Sequence, residues 1–332
     1  MKQLLTTFYY RYLAPKCMVL MYHRVATPPT DVWEIAVSPK HFEEHLQVLQ
    51  ATGKVVPLHA MVQSIKQGKI KDKTIALTFD DAYADNIIVA LPLLEQYGLP
   101  ATFFVTSIEK GPFWWDALEQ TLLTTPQLPA TLQIPMDGGS FDLTEEATLT
   151  ERLRQLHQSW KPFEADAPTR RAKLYLQLWQ QTRPMVPEQQ QHFLQQLLQL
   201  NNLVLAASNE VATPQQLQSL KGHRLVDIEA HTAQHPALGM HDAQFQKEQV
   251  QSNKLALEQN FGKTVSLLAY PYGHYNGDSM QVAASLNFDA AFTTNPEPIT
   301  KRSHPFQLGR FQVPDCSGDA FAQKLSGWLR KY

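Results

Sequence analysis

Short apolar runs that each end in chemically reactive residues constrain the fold of this 332-residue chain most strongly. They cover residues 18–22 before His23, 74–79 before Asp80 and Asp81, 225–230 before His231, and 265–270 before a Pro-Tyr-Gly sequence. Their length and β-branched content are typical of buried strands. Helical patterns separate them at 39–50, 87–97 and 243–261. Strands that alternate with helices pair in parallel, so the sequence predicts an α/β fold, as a barrel or an open sheet.

The alternation of strands and helices is interrupted between about residues 107 and 219. This segment contains a Phe-Trp-Trp-Asp sequence at 113–116, turn residues at 137–139 and glutamine-rich stretches such as 188–200. Leucines recur at helical spacing in 188–200, which indicates an amphipathic helix. We therefore predict a single domain over 1–332, with 107–219 as a helical insertion or cap.

Composition excludes several partners and site types. A net charge of −2, from 29 basic and 31 acidic residues, gives no global field for nucleic acid, and no basic run carries interleaved aromatics. Only Cys17 and Cys316 occur, which allows at most one disulfide and excludes a cysteine-rich zinc site. No window approaches the ~20 apolar residues of a membrane span. The sequence carries no signal for an oligomeric state.

Residues 1–16 share one property with a signal sequence, because Lys2, Arg11 and Lys16 are basic and no acid occurs among them. The apolar stretch is short, however, and Thr6, Thr7 and Arg11 interrupt it. No small-residue cleavage site follows. We therefore expect a cytoplasmic location, with secretion or envelope association as the alternative.

Two polar pairs follow predicted strands, at the edge of a parallel sheet where side chains of several strands meet. Asp80 and Asp81 are adjacent carboxylates, which repel unless they are separated or share a cation. His231 and His235 are four residues apart, a spacing that can hold one metal ion. Two histidines and one aspartate would leave a position open for water, as in catalytic zinc sites. The alternatives are a solvated turn and two surface histidines.

Four stretches together resemble the motifs of the polysaccharide deacetylases with a NodB-type homology domain. They are Met-Tyr-His-Arg-Val at 21–25, Thr-Phe-Asp-Asp at 78–81, His-Thr-Ala-Gln-His at 231–235, and Ala-Tyr-Pro-Tyr-Gly at 269–273. The order and spacing agree from about residue 19 to 325. The resemblance implies a distorted (β/α) barrel of about seven parallel strands. The Phe-Trp-Trp-Asp insertion resembles one branch of the family, found among bacterial surface-glycan genes.

The resemblance also implies an activity, the metal-dependent hydrolytic deacetylation of an acetylated sugar. The expected substrate is an N-acetylhexosamine unit of a bacterial surface glycan or its precursor. Asp80 would be the general base, and Asp81, His231 and His235 would bind one divalent metal ion, expected to be Zn2+. A metal-bound water would be the nucleophile. The backbone N–H of Tyr272 would help to hold the oxyanion.

Three positions depart from the family pattern. Ala82 replaces the usual glycine after the acidic pair, a mild change if its φ is negative. Ala269 stands where many relatives have an arginine that orients the base. The Leu-x-x-His stretch that supplies a general-acid histidine in other members is missing near the C-terminus.

We predict that other residues replace the missing arginine and histidine. Arg310, at the start of a last strand-like run, would hold Asp80 with two hydrogen bonds. Its alternative is a strand-edge arginine that faces solvent. His23 is the first candidate for the general acid, with His304 and His274 as weaker candidates and metal-bound water as another proton source.

Aromatic residues in the predicted insertion are candidates for sugar contacts. Trp114 and Trp115 would lie near the mouth of the site and stack on sugar rings, with at least one of them packing into the core. Asp116 would bind a sugar hydroxyl or cap a helix that begins near Ala117. Two competing functions are a glycoside hydrolase, which needs carboxylates ~5 to ~9 Å apart and no metal, and a non-catalytic carbohydrate-binding member of the family.

Overall fold

The computed structural model describes residues 15–108, 111–135, 138–205 and 211–331. Two compact units divide the chain. The first comprises Met1–Thr27, Ile35–Glu109 and Ala212–Tyr332, and the second Pro28–Glu34 and Lys110–Val211. Both cysteines are free. Within the described ranges, no helix combines the length and the apolar character needed to cross a membrane.

Seven of the strands build one parallel sheet in the first unit, in the order β10-β9-β8-β5-β4-β1-β11. The strands in the described residues are β1 (Cys17–Tyr22), β2 (Arg24–Val25), β3 (Ala36–Val37), β4 (Thr74–Phe79), β5 (Ala101–Val105), β6 (Thr131–Gln133), β7 (Ser140–Asp142), β8 (Val226–Ala230), β9 (Leu267–Ala269), β10 (Ala290–Phe292) and β11 (Phe311–Gln312). A further parallel bridge joins Phe292 of β10 to Leu308, just before β11. The sheet therefore curls into the distorted barrel that was predicted.

Both faces of the sheet are covered, which is why its strands are continuous apolar runs in the sequence. All six residues of β1 are buried. Val19 belongs to one apolar cluster, with Phe104 and Phe292, and the next residue, Leu20, belongs to the other. Side chains of a strand alternate between its two faces, so the two clusters lie on opposite faces of the sheet.

Helices occur at the predicted positions between the strands. They are α1 (Pro39–Thr52), α2 (Leu58–Lys66), α3 (Leu91–Tyr97), α4 (Trp114–Glu119), α5 (Glu151–Ser159), α6 (Arg170–Thr182), α7 (Pro187–Leu200), α8 (Pro214–Gln218), α9 (Ala243–Phe261), α10 (Gly277–Ser285) and α11 (Gly318–Lys331). Local residues set their ends. The side chain of Asp242 caps the first turn of α9, and Gly262 ends that helix with a φ of 67°.

The second unit contains α4 to α7 and the antiparallel hairpin of β6 and β7. Residues 110–211 of this unit fall inside the segment predicted as an insertion, 107–219, whose role as a cap stays a prediction. The predicted amphipathic helix at 188–200 corresponds to α7. Asp137, in the predicted turn at 137–139, lies outside the described residues.

Candidate active site

The carboxyl ends of β4 and β8 bring the predicted metal ligands together. Oδ1 of Asp81 lies 3.2 Å from Nε2 of His231 and 3.0 Å from Nε2 of His235. All three residues are buried. Ligand atoms of a tetrahedral zinc ion, at ~2.0 to ~2.1 Å from the metal, lie about 3.3 Å apart. The observed spacing therefore suits one small divalent cation.

The surroundings of these ligands also fit a cation. Oδ1 of Asp81 is buried, and among the described residues it faces the ring nitrogens of His231 and His235 rather than a dedicated hydrogen-bond donor. A buried acceptor without a donor needs another partner, which a cation would provide. Nδ1 of His231 donates to the carbonyl oxygen of Ala269 at 2.8 Å, which leaves Nε2, the nitrogen that faces Asp81, as the ring atom available to a metal ion in the neutral imidazole.

Local charges and burial favour the metal-binding forms of Asp81 and His235. Burial would raise the pKa of Asp81, but His235 and His231 beside it hold that pKa well below its usual value. Burial lowers the pKa of His235. A carboxylate and a neutral imidazole are the forms that ligate metal ions.

Asp80 faces a different partner from its neighbour. Nη1 of Arg310 donates to Oδ1 of Asp80 at 2.7 Å, and Nη2 donates to Oδ2 at 2.6 Å. Arg310 is fully buried, and it also donates to Thr78 Oγ1 at 3.2 Å and to the carbonyl oxygen of Thr293 at 3.1 Å. Burial would raise the pKa of Asp80, but the charges of Arg310 and His231 keep it below its usual value. Asp80 is therefore an oriented carboxylate.

His23 is close enough to both aspartates to contribute to the lowering of the pKa of Asp80 and of Asp81. Its Nδ1 is buried and has no hydrogen-bond partner among the described residues. The two weaker candidates for the general acid, His304 and His274, have different surroundings. His304 is exposed, and His274 is near enough to His241 to lower the pKa of that histidine.

Strained backbone occurs in or directly next to three of the four sequence motifs, at 78–81, 231–235 and 269–273. Left-handed φ angles occur at Asp81 (74°), Ala82 (65°), Thr232 (66°), His235 (57°) and Tyr272 (57°). Non-glycine residues rarely adopt such angles, and they persist where the surrounding structure holds them, often at functional sites. The condition under which Ala82 would be a mild change, a negative φ, is not met. This alanine adopts a conformation for which glycine is better suited.

Tyr272 borders the histidine pair. Its ring contacts that of His235 edge to face, with centroids 4.5 Å apart. The predicted role of its backbone N–H stays a prediction.

The predicted sugar-binding residues belong to the second unit. Trp115 stacks on Phe113 with ring centroids 4.3 Å apart, and Trp114 contacts the edge of Trp115 at 5.7 Å. Both tryptophans are buried, in agreement with the expectation that at least one packs in a core. Helix α4 begins at Trp114 with Phe113 at its N-cap, so Asp116 lies in the first turn and is not the cap. Contact with a sugar stays a prediction for all three residues.

A second cluster of potential ligands lies at the start of β8. Nε2 of His59 is 2.9 Å from Oδ2 of Asp227 and 2.8 Å from Oε1 of Glu229. The ammonium group of Lys263 pairs with both carboxylates, and lies 2.8 Å from Oε1 of Glu229. Burial alone would lower the pKa of His59, but the two acids raise it to about 9. Two cations thus balance two anions, and we interpret the cluster as an ion-pair network.

Residues of helix α9 that touch the histidine turn were not predicted. Gln249 and Asn253 are buried, and they bind the backbone of residues 231–234. The sequence signal that could have identified them is the presence of amide residues on the inner face of a predicted helix, where apolar residues are usual.

Comparisons with known proteins agree with this fold and site. A family model described as polysaccharide deacetylase matches residues 67–122 and 192–291, which include both polar pairs and the Ala-Tyr-Pro-Tyr-Gly stretch at 269–273. YxkH of Bacillus subtilis, which carries a provisional polysaccharide deacetylase name, is 23% identical over 310 residues, or 92% of this chain and 75% of that protein. The family model and this relative both indicate a hydrolase. The chain carries a polysaccharide deacetylase domain, and the predicted enzyme class, carbohydrate deacetylase, is confirmed.

Solved structures share the fold at low sequence identity. The Streptococcus pyogenes deacetylase PplD, solved in complex with acetate, gives a TM-score of 0.58 at 18% identity, over 94% of this chain and 99% of that one. A de-N-acetylase from Aggregatibacter actinomycetemcomitans gives a TM-score of 0.54 at 16% identity, over 93% of this chain and 99% of that one.

Proposed function

We propose that this protein hydrolyses the acetyl group of an N-acetylhexosamine unit in a bacterial surface glycan or its precursor, in a reaction that depends on one divalent metal ion. The proposal rests on one observation: the adjacent residues Asp80 and Asp81 face different partners. Asp81 faces His231 and His235, and Asp80 faces Arg310. One carboxylate is thereby available to a cation and the other to a proton.

Different residues would bind the metal ion and accept the proton of the attacking water. Asp81, His231 and His235 would hold the cation, proposed to be Zn2+. Polarisation of the acetyl carbonyl and acidification of the attacking water are the chemistry that such a cation supplies when bound. Asp80 accepts the proton of that water, and the two hydrogen bonds from Arg310 fix the direction of its carboxylate.

Two further residues would act on the tetrahedral intermediate and its collapse. The backbone N–H of Tyr272 would donate to the oxyanion, an interaction typically worth ~3 kcal/mol of barrier. His23 would protonate the leaving amine, which must depart as a neutral group. The buried Nδ1 of His23 and the electrostatic influence of His23 on both aspartates support this assignment.

The choice of an N-acetyl group draws on the relatives. One structural neighbour is named a de-N-acetylase, and the family is that of polysaccharide deacetylases. The Phe-Trp-Trp-Asp sequence supports a surface-glycan substrate only through the resemblance to one branch of the family. The cytoplasm stays the predicted location, and it would favour a biosynthetic precursor over a finished polymer.

Acetate release tests the proposal directly. Protein freed of metal with a chelator and then reloaded with Zn2+ is incubated with a panel of N-acetylated oligosaccharides and O-acetylated glycans. We expect acetate from at least one N-acetylated glycan after reloading and none before it. Cleavage of glycosidic bonds that survives chelation would identify a glycoside hydrolase instead. Binding of glycans without any acetate release would identify a non-catalytic member.

A further inference from the structure

Helix α9 places a row of amide side chains in the interior of the first unit. Gln246, Gln249 and Asn253 occupy one face of the helix, and all three are buried. Leu257 and Phe261 continue the same face as apolar core residues. Buried amides are costly unless their hydrogen bonds are made, so each of them needs a specific partner.

The turn that carries the two histidines provides these partners. Thr232 and His235 adopt left-handed φ angles, so the backbone here forms neither a regular helix nor a strand. The backbone N–H of His231 donates to Oδ1 of Asn253 at 3.0 Å. The N–H of Gln234 donates to Oε1 of Gln249 at 3.0 Å, and that of Ala233 donates to the carbonyl oxygen of Gln249 at 3.0 Å.

The other end of the Asn253 amide is anchored to a neighbouring strand. Its Nδ2 donates to the carbonyl oxygen of Val105, the last residue of β5, at 3.0 Å and to Oγ of Ser107 at 2.9 Å. Only one orientation of the amide satisfies a donor on one side and two acceptors on the other. The side chain therefore links the end of β5 to the first histidine, and it cannot rotate without losing these bonds.

We propose that Asn253 is a positioning residue that sets the backbone of His231 for metal binding, with Gln249 holding the rest of the histidine turn. This inference rests on the proposed function, because it requires the histidine pair to bind a cation. Asn253 accepts a hydrogen bond from the backbone N–H of His231, and the carbonyl oxygen of Ala269 accepts one from Nδ1 of the His231 ring. Outer contacts of this kind hold ligand atoms in the geometry that a metal ion requires.

The test measures Zn2+ affinity, by competition with a chromophoric chelator, in protein shown to be folded by circular dichroism. We expect Asn253→Ala to bind Zn2+ about 10- to 100-fold more weakly than the unaltered protein. Gln246→Ala is the matched control, since Gln246 is an equally buried amide on the same helix. Its side chain binds Ser279, Asn276 and the carbonyl oxygen of His241, and none of these hydrogen bonds involves residues 231–235. We expect this control to lower the melting temperature while its Zn2+ affinity stays unchanged.

The possible outcomes separate this inference from the proposed function. Unchanged Zn2+ affinity in folded Asn253→Ala, or an equal loss in Gln246→Ala, overturns the inference. If Asn253→Ala does not fold, Gln249→Ala decides in its place, with weaker binding expected and unchanged binding contradicting the inference. Absence of Zn2+ binding by the unaltered protein would instead reject the proposed function.

Discussion

Arg310 and Asp80 form a doubly hydrogen-bonded ion pair between residues that are 230 positions apart in the chain. The contact depends on how the sheet curls. The segment that precedes β11 lies beside β10 on one side, and β11 pairs with β1 on the other, next to β4. Ala269 has no side chain that could bind the carboxylate. Arg310 thus has the geometry needed to orient the proposed base, the role that the family resemblance assigns to an arginine at position 269.

Arg310→Lys should keep the charge but lose the second hydrogen bond. We expect the variant to fold and to bind metal, with kcat at least roughly tenfold lower, which corresponds to about 1.4 kcal/mol of barrier. Acetate release at saturating substrate and metal content are the measurements. The double variant Ala269→Arg with Arg310→Ala should be more active than Arg310→Ala alone if both positions reach Asp80. An Arg310→Lys variant with unchanged kcat would show that the orientation of Asp80 does not limit the reaction.

A proposed metal ligand and the proposed base should respond differently to substitution. His235→Ala removes a proposed ligand and should lose both the metal and the activity. Asp80→Asn removes only the proton acceptor, so it should keep the metal and lose about 100-fold or more in kcat. Elemental analysis and acetate release measure the two effects. If Asp80→Asn no longer binds metal, then Asp80 is a ligand and the assignment of roles is wrong.

His23 should matter most when the leaving group needs a proton. We expect His23→Gln to lose far more activity on an N-acetylated sugar than on a p-nitrophenyl acetate ester, because nitrophenolate leaves without protonation. Comparing kcat on the two substrates gives the result. His304→Gln is the control, and it should leave both rates unchanged because His304 is exposed. Equal losses on both substrates in His23→Gln would exclude His23 as the general acid.

The position of the site at the strand ends could be predicted from the sequence, because buried parallel strands are short apolar runs and the residues after them meet at one edge. Asp81 and His231 were found in this way. The contact of Asn253 with His231 could not be predicted from the sequence, because an asparagine in a helical pattern does not show which backbone group it binds. The left-handed φ of Ala82 was also missed, because the alanine residue type favours negative φ and only the tertiary structure imposes this angle.

The ion-pair network at the start of β8 should make stability depend on pH. The folded-state pKa of His59 is raised from 6.5 to about 9, so protonated His59 stabilises the fold. That contribution is fully present below pH 6.5 and is lost as the pH rises through about 9. We expect His59→Gln to lower the urea midpoint clearly at pH 6 and little at pH 10. A difference from the unaltered protein that stays constant across this range would contradict the role of His59 charge.

Ala82→Gly should be tolerated far better than an ordinary buried Ala→Gly change. A left-handed conformation costs a residue with a Cβ roughly 1–2 kcal/mol, and glycine removes that strain. The gain is offset by the greater entropy of unfolded glycine, roughly 0.5–1 kcal/mol, and by the loss of a buried methyl group, about 0.8 kcal/mol. The free energy of unfolding should therefore change by less than about 1 kcal/mol.

Ala76→Gly is the matched control, since Ala76 is a fully buried residue of β4 that has no left-handed φ. Ala76→Gly has the same costs, the entropy of unfolded glycine and the loss of a buried methyl group, but relieves no backbone strain. Ala82→Gly should therefore be more stable than Ala76→Gly by roughly 1–2 kcal/mol. Urea denaturation of the two variants under the same conditions measures the difference. Deacetylation should persist in Ala82→Gly, because a glycine can hold the same backbone angles beside Asp81. If the two variants are equally destabilised, the backbone at Ala82 is not strained in solution.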